Sequence, residues 1–470
     1  MTECTQSNFE FQPLLQREVV ARFDGGDITS DAGGLLLREV ERRTGIVRGL
    51  AACFTDHRKP DQIEHSVKQL IAQRVYGLAL GYEDLNDHDQ LRGDPLMGVL
   101  LGKADPHGGD RRRAQDRGKS GAGKSTLNRL ELSGTEVSEN ERYKKIVLDD
   151  QAVDRLLVDL FVQAHAEAPQ QIVLDLDATD DPVHGRQEGG FFHGYYREYC
   201  YLPLYIFCGE HLLCARLRCS NIDASAGALE EVKRIVEQIR ENWPKVQVVL
   251  RGDGGFCRDE IMTWCEGSQV GYIFGLAKNK RLKKIIGREL HQAQEQFEKT
   301  QTAARVFAEF RYRTRRSWHA ERRVVGKAEH LAKGANPRFV VTSVSLDQMD
   351  ARQLYEQLYC ARGEMENRIK EQQLGLFADR TSTTAMRSNQ LRLYFSSFAY
   401  CLMQALRRLG LKGTELAQAQ CGTIRIKLLK LGAQVRVTVR KVWISMGSGC
   451  PQAAAFGAAY RNLTGVPLRG

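Results

Sequence analysis

No stretch of this chain stays apolar for the length that a bilayer crossing needs. The best candidate, LRLYFSSFAYCLMQALRRLGL from Leu391, is broken by Arg392 and Gln404 and ends on Arg407 and Arg408. It reads as a core helix. The opening residues, MTECTQSNFEFQPLL, carry no basic segment ahead of an apolar one, so no export signal is expected. The 12 cysteines form no CxxC pair, and Cys214 with Cys219 has no matching second pair, which argues against a zinc site. Buried thiols in a reducing cytoplasm are the expectation. There is no internal repeat. What remains is a folded chain of 470 residues, enough for two to four domains, with 42% hydrophobic and 27% charged residues. Its net charge of +10 points to a polyanionic partner, nucleic acid before membrane surface.

Residues 1 to about 150 read as mainly helical after a glycine-rich start, FDGGDITSDAGGLLLREVERRTGI. Leu35 to Val40 has helical spacing, with Ser30 or Asp31 as a possible cap. From about residue 170 the texture changes. QIVLDLDA, YLPLYIFC, LLCARLRC, VQVVLRGD and VGYIFGLA have strand character, with one helical segment, AGALEEVKRIVEQIREN, between the third and fourth. A cluster of cations follows, from Lys278 to Arg288. The alternating segment VFAEFRYRTRRSWHAERRVV then reads as a hairpin. RFVVTSVS returns to the core, and a long helix follows it.

GKSGAGKS, residues 118–125, satisfies the phosphate-loop pattern in full. Such a loop needs a buried strand ending at its first glycine, and GGDRRRAQDR is not one. A Gly/Lys/Ser linker before a helix capped by Ser125 or Thr126 is the better reading. A third reading has this basic loop touching DNA phosphates. A phosphate-loop ATPase acting on DNA stays as the rival enzyme.

Three acids stand where strands or a helix would deliver carboxylates to one place. They are Asp177 in QIVLDLDATDD, Asp253 in VQVVLRGDGGF and Glu366 in YCARGEMENRIKE. Converging carboxylates suit two-metal phosphoryl transfer, in which two ions about 3.5–4 Å apart activate the attacking oxygen and stabilise the leaving one. Asp175 and Asp177 are two apart on a strand, so both face one side and both are possible first ligands. Arg362 and Glu366 share one helix face. Asp180 and Asp181 are expected to be solvated or supporting.

With these residues the chain resembles bacterial insertion-sequence transposases of the DDE class. LDLDATDD, LRGDGGF and the Tyr359, Arg362, Glu366 spacing (Y-x-x-R-x-x-x-E) carry the likeness. FDGGDITSDAGGLLL, STLNRLE and MENRIKEQQLGLFADRTS resemble the IS-thirteen-eighty group in particular. The resemblance implies an α/β fold: a ribonuclease-H-like mixed sheet flanked by helices, a β-rich insertion domain and a mainly helical N-terminal region. The implied layout is a DNA-binding region over 1–150, catalytic core over 165–275 and 338–410, a basic insertion over 276–337 and a basic C-terminal region over 411–470. It favours Asp177 over Asp175, because Thr179 then follows in place. It implies Mg2+ as cofactor, two ions with Mn2+ as a substitute, held by Asp177, Asp253 and Glu366. The activity implied is cut-and-paste transposition: cleavage at terminal inverted repeats, then attack of the 3′-hydroxyl on target DNA.

Tyr359 and Arg362 would contact DNA. Lys370 would stand in for the family lysine, whose position holds Gln373 here. Trp318, flanked by Arg315 and Arg316, would stack on an extruded base, a contact worth about 1–3 kcal/mol. The partners implied are double-stranded DNA and a second copy of the chain, with neither membrane nor ATP. The location implied is the bacterial cytoplasm, at the nucleoid. A DNA-binding protein with a decayed core is the non-enzyme rival, opposed by the presence of all three acids.

Overall fold

The computed structural model describes residues 8–137 and 142–465. The chain divides into two compact units. One comprises Met1–Asp149, Gly375–Phe377 and Phe398–Gly470, and the other Asp150–Leu374 and Ala378–Ser397.

The second unit is built on a nine-stranded mixed sheet. In chain order its main strands are β1 (Gln171–Ala178), β2 (Leu204–Cys208), β3 (His211–Arg216), β4 (Gln247–Gly252), β5 (Gly271–Leu276), β6 (Ala304–Tyr312), β7 (Arg322–Leu331) and β8 (Arg338–Thr342). They lie in the order β3-β2-β1-β4-β5-β8-β7-β6. β1, β4 and β5 run parallel, and the remaining pairs along that path are antiparallel.

The period-two pattern of β1 and β4 decides what each face does. Ile172, Leu174, Leu176, Val248 and Leu250 enter one core with helices α1 (Asp150–Gln163), α2 (Ala228–Asn242) and α3 (Asp259–Gly267). Helix α2 presents Leu229, Val232, Ile235, Val236 and Ile239, an i, i+3, i+4 stripe, and all five are buried there. Each such side chain stabilises the unit by roughly 1.5–3 kcal/mol. The alternate residues, among them Val173 and Val249, face the other side. There they join Ile273, Val325 and Val340 beneath Leu354, Tyr355 and Tyr359. Asp175, Asp177 and Arg251 share that parity.

Segment 276–337 holds helices as well as strands. Helices Lys280–Ile285 and Gly287–Thr300 precede the hairpin. The hairpin itself is present, paired from Ala304↔His330 to Tyr312↔Arg322, and β8 joins it to β5 in the same sheet.

The first unit is helical around Gly34–Thr44 and Val67–Leu80, and residues 398–465 fold with it. Gly33 explains part of the opening glycine motif. Its amide donates to the Leu429 carbonyl at 3.1 Å, and a Cβ there would stand 2.0 Å from the Leu428 carbonyl oxygen. Neither Ser30 nor Asp31 caps the first of these helices, because Gly33 occupies the cap position. Asp31 instead meets Lys430 at 2.7 Å and the Tyr82 hydroxyl at 2.7 Å.

Trp318 lies in the sheet core at 6% exposure, edge-on to Tyr312 at 5.8 Å, with the Arg322 guanidinium 5.6 Å above its ring. Trp318→Ala is therefore expected to destabilise the protein by about 3–5 kcal/mol, read by chemical denaturation. An unchanged midpoint would show that its burial contributes nothing.

Candidate active site

β1 and β4 run parallel in the register Arg251↔Asp175 and Gly252↔Leu176, so the next residues along are Asp253 and Asp177. Two carboxylates thus leave the sheet side by side, and their fates on β1 differ. Asp175 is 4% exposed and held by a two-pronged ion pair with Arg251: Nε to Oδ1 at 2.5 Å, and Nη2 to Oδ2 at 2.8 Å. Both its oxygens are committed. Among the described residues, the Asp177 carboxylate accepts only from the Ala178 amide, at 3.1 Å, and lies 3.7 Å from Arg362 Nη1. The Asp253 carboxylate caps the short helical turn Gly254–Phe256, accepting from the Gly255 amide at 2.8 Å through Oδ1.

Glu366 rides on an irregular helix. π-helical turns at Leu354–Tyr359 and Glu371–Gly375 flank a tight turn at Cys360–Arg362 and the regular helix Gly363–Lys370. Such bulges re-aim side chains within a helix. Arg362 and Glu366 meet as their spacing predicts, Nη2 to Oε1 at 2.5 Å. The guanidinium therefore stands between Glu366 and Asp177. Tyr359 places its hydroxyl where a Cβ on Gly275 would be 2.6 Å away; the Asp253 carbonyl carbon is 3.3 Å from that same point. Only glycine leaves this space open.

The charges act on one another. Burial pushes the Asp177 carboxyl up to about 7; Arg362 opposes the shift, and Asp253 and Glu366 add to it. Burial raises Tyr359 too, again with Arg362 opposing and Asp253 adding. Burial works against the Arg362 charge, yet Asp177 and Glu366 hold its pKa above the ordinary value. Among the described residues, no group of three or more His, Cys, Asp or Glu side chains is spaced to hold a metal ion. Arg362 fills the position between two of the acids.

The other expected residues fall as follows. Lys370 is exposed at the end of the Glu366 helix segment. Gln373 is a tether, its Nε2 donating to the Asp180 carbonyl at 3.1 Å. Arg315 and Arg316 are exposed beyond the hairpin. Trp318 is in the core, where its ring packs against Tyr312 rather than facing solvent for a base to stack on. Asp181 is not solvated: it is 1% exposed, neither carboxylate oxygen has a hydrogen-bond partner among the described residues, and burial pushes its pKa well up.

One neighbour had no spacing signal. Tyr196 donates to the Ala178 carbonyl at 3.4 Å, and Tyr195 and Tyr199 near it are exposed. The aromatic density of GGFFHGYYREY is the only trace of it in the sequence.

GKSGAGKS does not follow a strand; the residues before it form a loop with one short turn at Ala114–Asp116. Its amides are already used. Gly121 donates to the Arg92 carbonyl, Ala122 to Gln73 and Lys124 to Asp89. Lys124 Nζ meets Asn86 at 3.1 Å. The following helix, Lys124–Glu131, has Gly123 at its cap and no side-chain cap from Ser125 or Thr126.

The family model described as Transposase DDE domain group 1 matches residues 11–468. A comparison with curated proteins finds no match. Among solved structures, the chain is similar to piggyBac transposase in a synaptic complex with hairpin DNA, determined by cryo-electron microscopy. The identity is 11% and the TM-score 0.41, over 85% of this chain and 80% of that one.

The Asp177 shift carries a sign. Its carboxyl ionises near 3.8 when unfolded and near about 7 when folded, so stability falls as pH rises through that window. In EDTA-treated protein, Asp177→Asn should add roughly 2–4 kcal/mol at about pH 8 and almost nothing near pH 4. Equal thermal shifts at both pH values would show that Asp177 titrates normally.

Proposed function

The chain belongs to the Transposase DDE domain group 1 family, and from that premise we propose that Asp177, Asp253 and Glu366 form the metal-holding centre of a cut-and-paste transposase. The observation that carries this reading is the junction of β1 and β4. Two parallel strands end there in carboxylates, and a third carboxylate reaches them from the helix carrying Arg362. The sheet order β3-β2-β1-β4-β5, with helix α2 between β3 and β4, supports a ribonuclease-H-like core.

Carboxylate oxygens are the donor type that hard divalent cations take, and Arg362 stands between two of the carboxylates. The donor set is all carboxylate; burial raises the Asp177 pKa, the Asp253 and Glu366 charges add to the rise, and Arg362 opposes it as a counter-charge. Magnesium ions, or manganese in their place, would activate the attacking oxygen and stabilise the leaving one when bound. Burial raises the Asp177 carboxyl to about 7, and the site's residues would hold a cation through its deprotonated oxygens. Asp175 takes no part as a ligand, because Arg251 holds both its oxygens; it positions Arg251, whose Nη1 fixes the Leu358 carbonyl at 2.5 Å beside Tyr359. Arg362, which donates to Glu366, and the Tyr359 hydroxyl, which feels the Asp253 charge, would orient the scissile phosphate. Lys370 and the exposed Arg315 and Arg316 are further phosphate partners.

The substrates in this reading are the terminal inverted repeats of an insertion sequence of the IS-thirteen-eighty type. Water cleaves the DNA, and the freed 3′-hydroxyl attacks target DNA. A dimer holds the two ends, no ATP is consumed, and the reaction belongs to the bacterial nucleoid.

Asp177→Ala, Asp253→Ala and Glu366→Ala should each lower magnesium-dependent cleavage of a duplex carrying the element's ends. The expected loss is on the order of 10²–10³-fold or more, with DNA binding retained. Cleavage that survives one of these changes removes that residue from the centre.

A further inference from the structure

A two-stranded ribbon in the first unit has a face that the centre described above does not use. Strands Ala433–Val437 and Val442–Met446 pair antiparallel, and Ile28–Thr29 completes a three-stranded sheet in which Val442–Met446 is an edge. The ribbon's alternation is regular. Ala433 and Val435 face inward and are buried. The opposite parity carries Gln434, Arg436, Thr438, Lys441, Trp443 and Ser445, every one of them exposed. Arg436 pairs across from Trp443, and Gln434 from Ser445.

This face is unusual in two ways. Trp443 is 46% exposed, with the Lys441 ammonium 5.1 Å from its ring centroid and the Arg436 guanidinium at 6.0 Å. Residues 433–446 contain no Asp or Glu, so nothing within the ribbon offsets these cations. A solvated charge run alone would not place an indole among them. Arg, Gln, Thr and Ser on one face, with an aromatic ring, are the side-chain types that read base edges and touch thymine methyl groups. A two-stranded ribbon is also one of the two elements a major groove admits.

We propose that the ribbon 433–446 enters the major groove of duplex DNA, with Arg436 and Trp443 contacting bases and Lys441 the backbone. The inference rests on the transposase reading, which makes DNA the partner.

The test is binding of full-length Arg436→Ala, Trp443→Ala and Lys441→Ala proteins to two duplexes over a salt series. One duplex carries the DNA flanking the protein's own gene, and the other is scrambled at equal composition. Exposed positions should leave the melting temperature unchanged. Arg436→Ala and Trp443→Ala should weaken the flanking duplex by about 5- to 100-fold, with little effect on the scrambled one. Lys441→Ala should weaken both and reduce the salt slope by about one.

Equal losses on both duplexes for Arg436→Ala would overturn groove reading in favour of backbone contact. Unchanged binding of all three variants, where the wild type binds, would remove the ribbon from the interface and leave the catalytic reading standing. A wild type that binds neither duplex sinks both.

Discussion

Two parallel strands that end side by side bring the Asp177 and Asp253 carboxylates to one end of the sheet, where burial works against the charge on Asp177. That cost shapes the end of the sheet. The sheet answers with two guanidinium groups used in different ways. Arg251 meets Asp175 with both prongs and occupies both its oxygens, although burial still raises that carboxyl. Arg362 is shared between Asp177 and Glu366 and closes on only one of them. The first pair is scaffold. The second only partly opposes the rise that burial imposes on Asp177, and leaves that carboxylate without an ionic partner at hydrogen-bond distance among the described residues.

The irregular helix follows from the same constraint. Leu354 and Tyr355 must cover Val249, Ile273, Val325 and Val340, while Arg362 and Glu366 must reach the strand ends. A straight α-helix has one period with which to meet both demands. The π turns on either side of the segment shift its phase twice, and the tight turn at Cys360–Arg362 lies between the first of them and Gly363. Gly275 completes the fit by leaving room for the Tyr359 hydroxyl.

Much of this was legible before any coordinates. The alternation in QIVLDLDA and VQVVLRGD marks strands with one apolar and one functional face, and the i, i+4 relation of Arg362 to Glu366 needs only helical geometry. The choice between Asp175 and Asp177 turns on Arg251, which is far off in sequence and adjacent only through parallel pairing. Local spacing holds no record of that. Asp181 misled because its neighbours Asp180 and Pro182 look like a solvated turn, whereas Asp181 pairs across to Tyr201 and is buried. The phosphate-loop pattern failed on context alone, since its amides bond to Arg92, Gln73 and Asp89.

Trp318 and Trp443 show where composition stops being informative. Both sit among arginines and lysines, and a rule that pairs aromatic residues with cations selects both. Trp318 follows the turn off β6, where Tyr312 and Arg322 close over it and the sheet core absorbs its ring. Trp443 pairs with Arg436, one position out of phase with the buried Val435, so its ring is turned away from the packed face. An indole left 46% exposed gains only part of the hydrophobic stabilisation that full burial would give it, and the cations flanking it repel one another. Trp443 therefore contributes little to stability where it stands, and its placement makes physical sense once something covers that face.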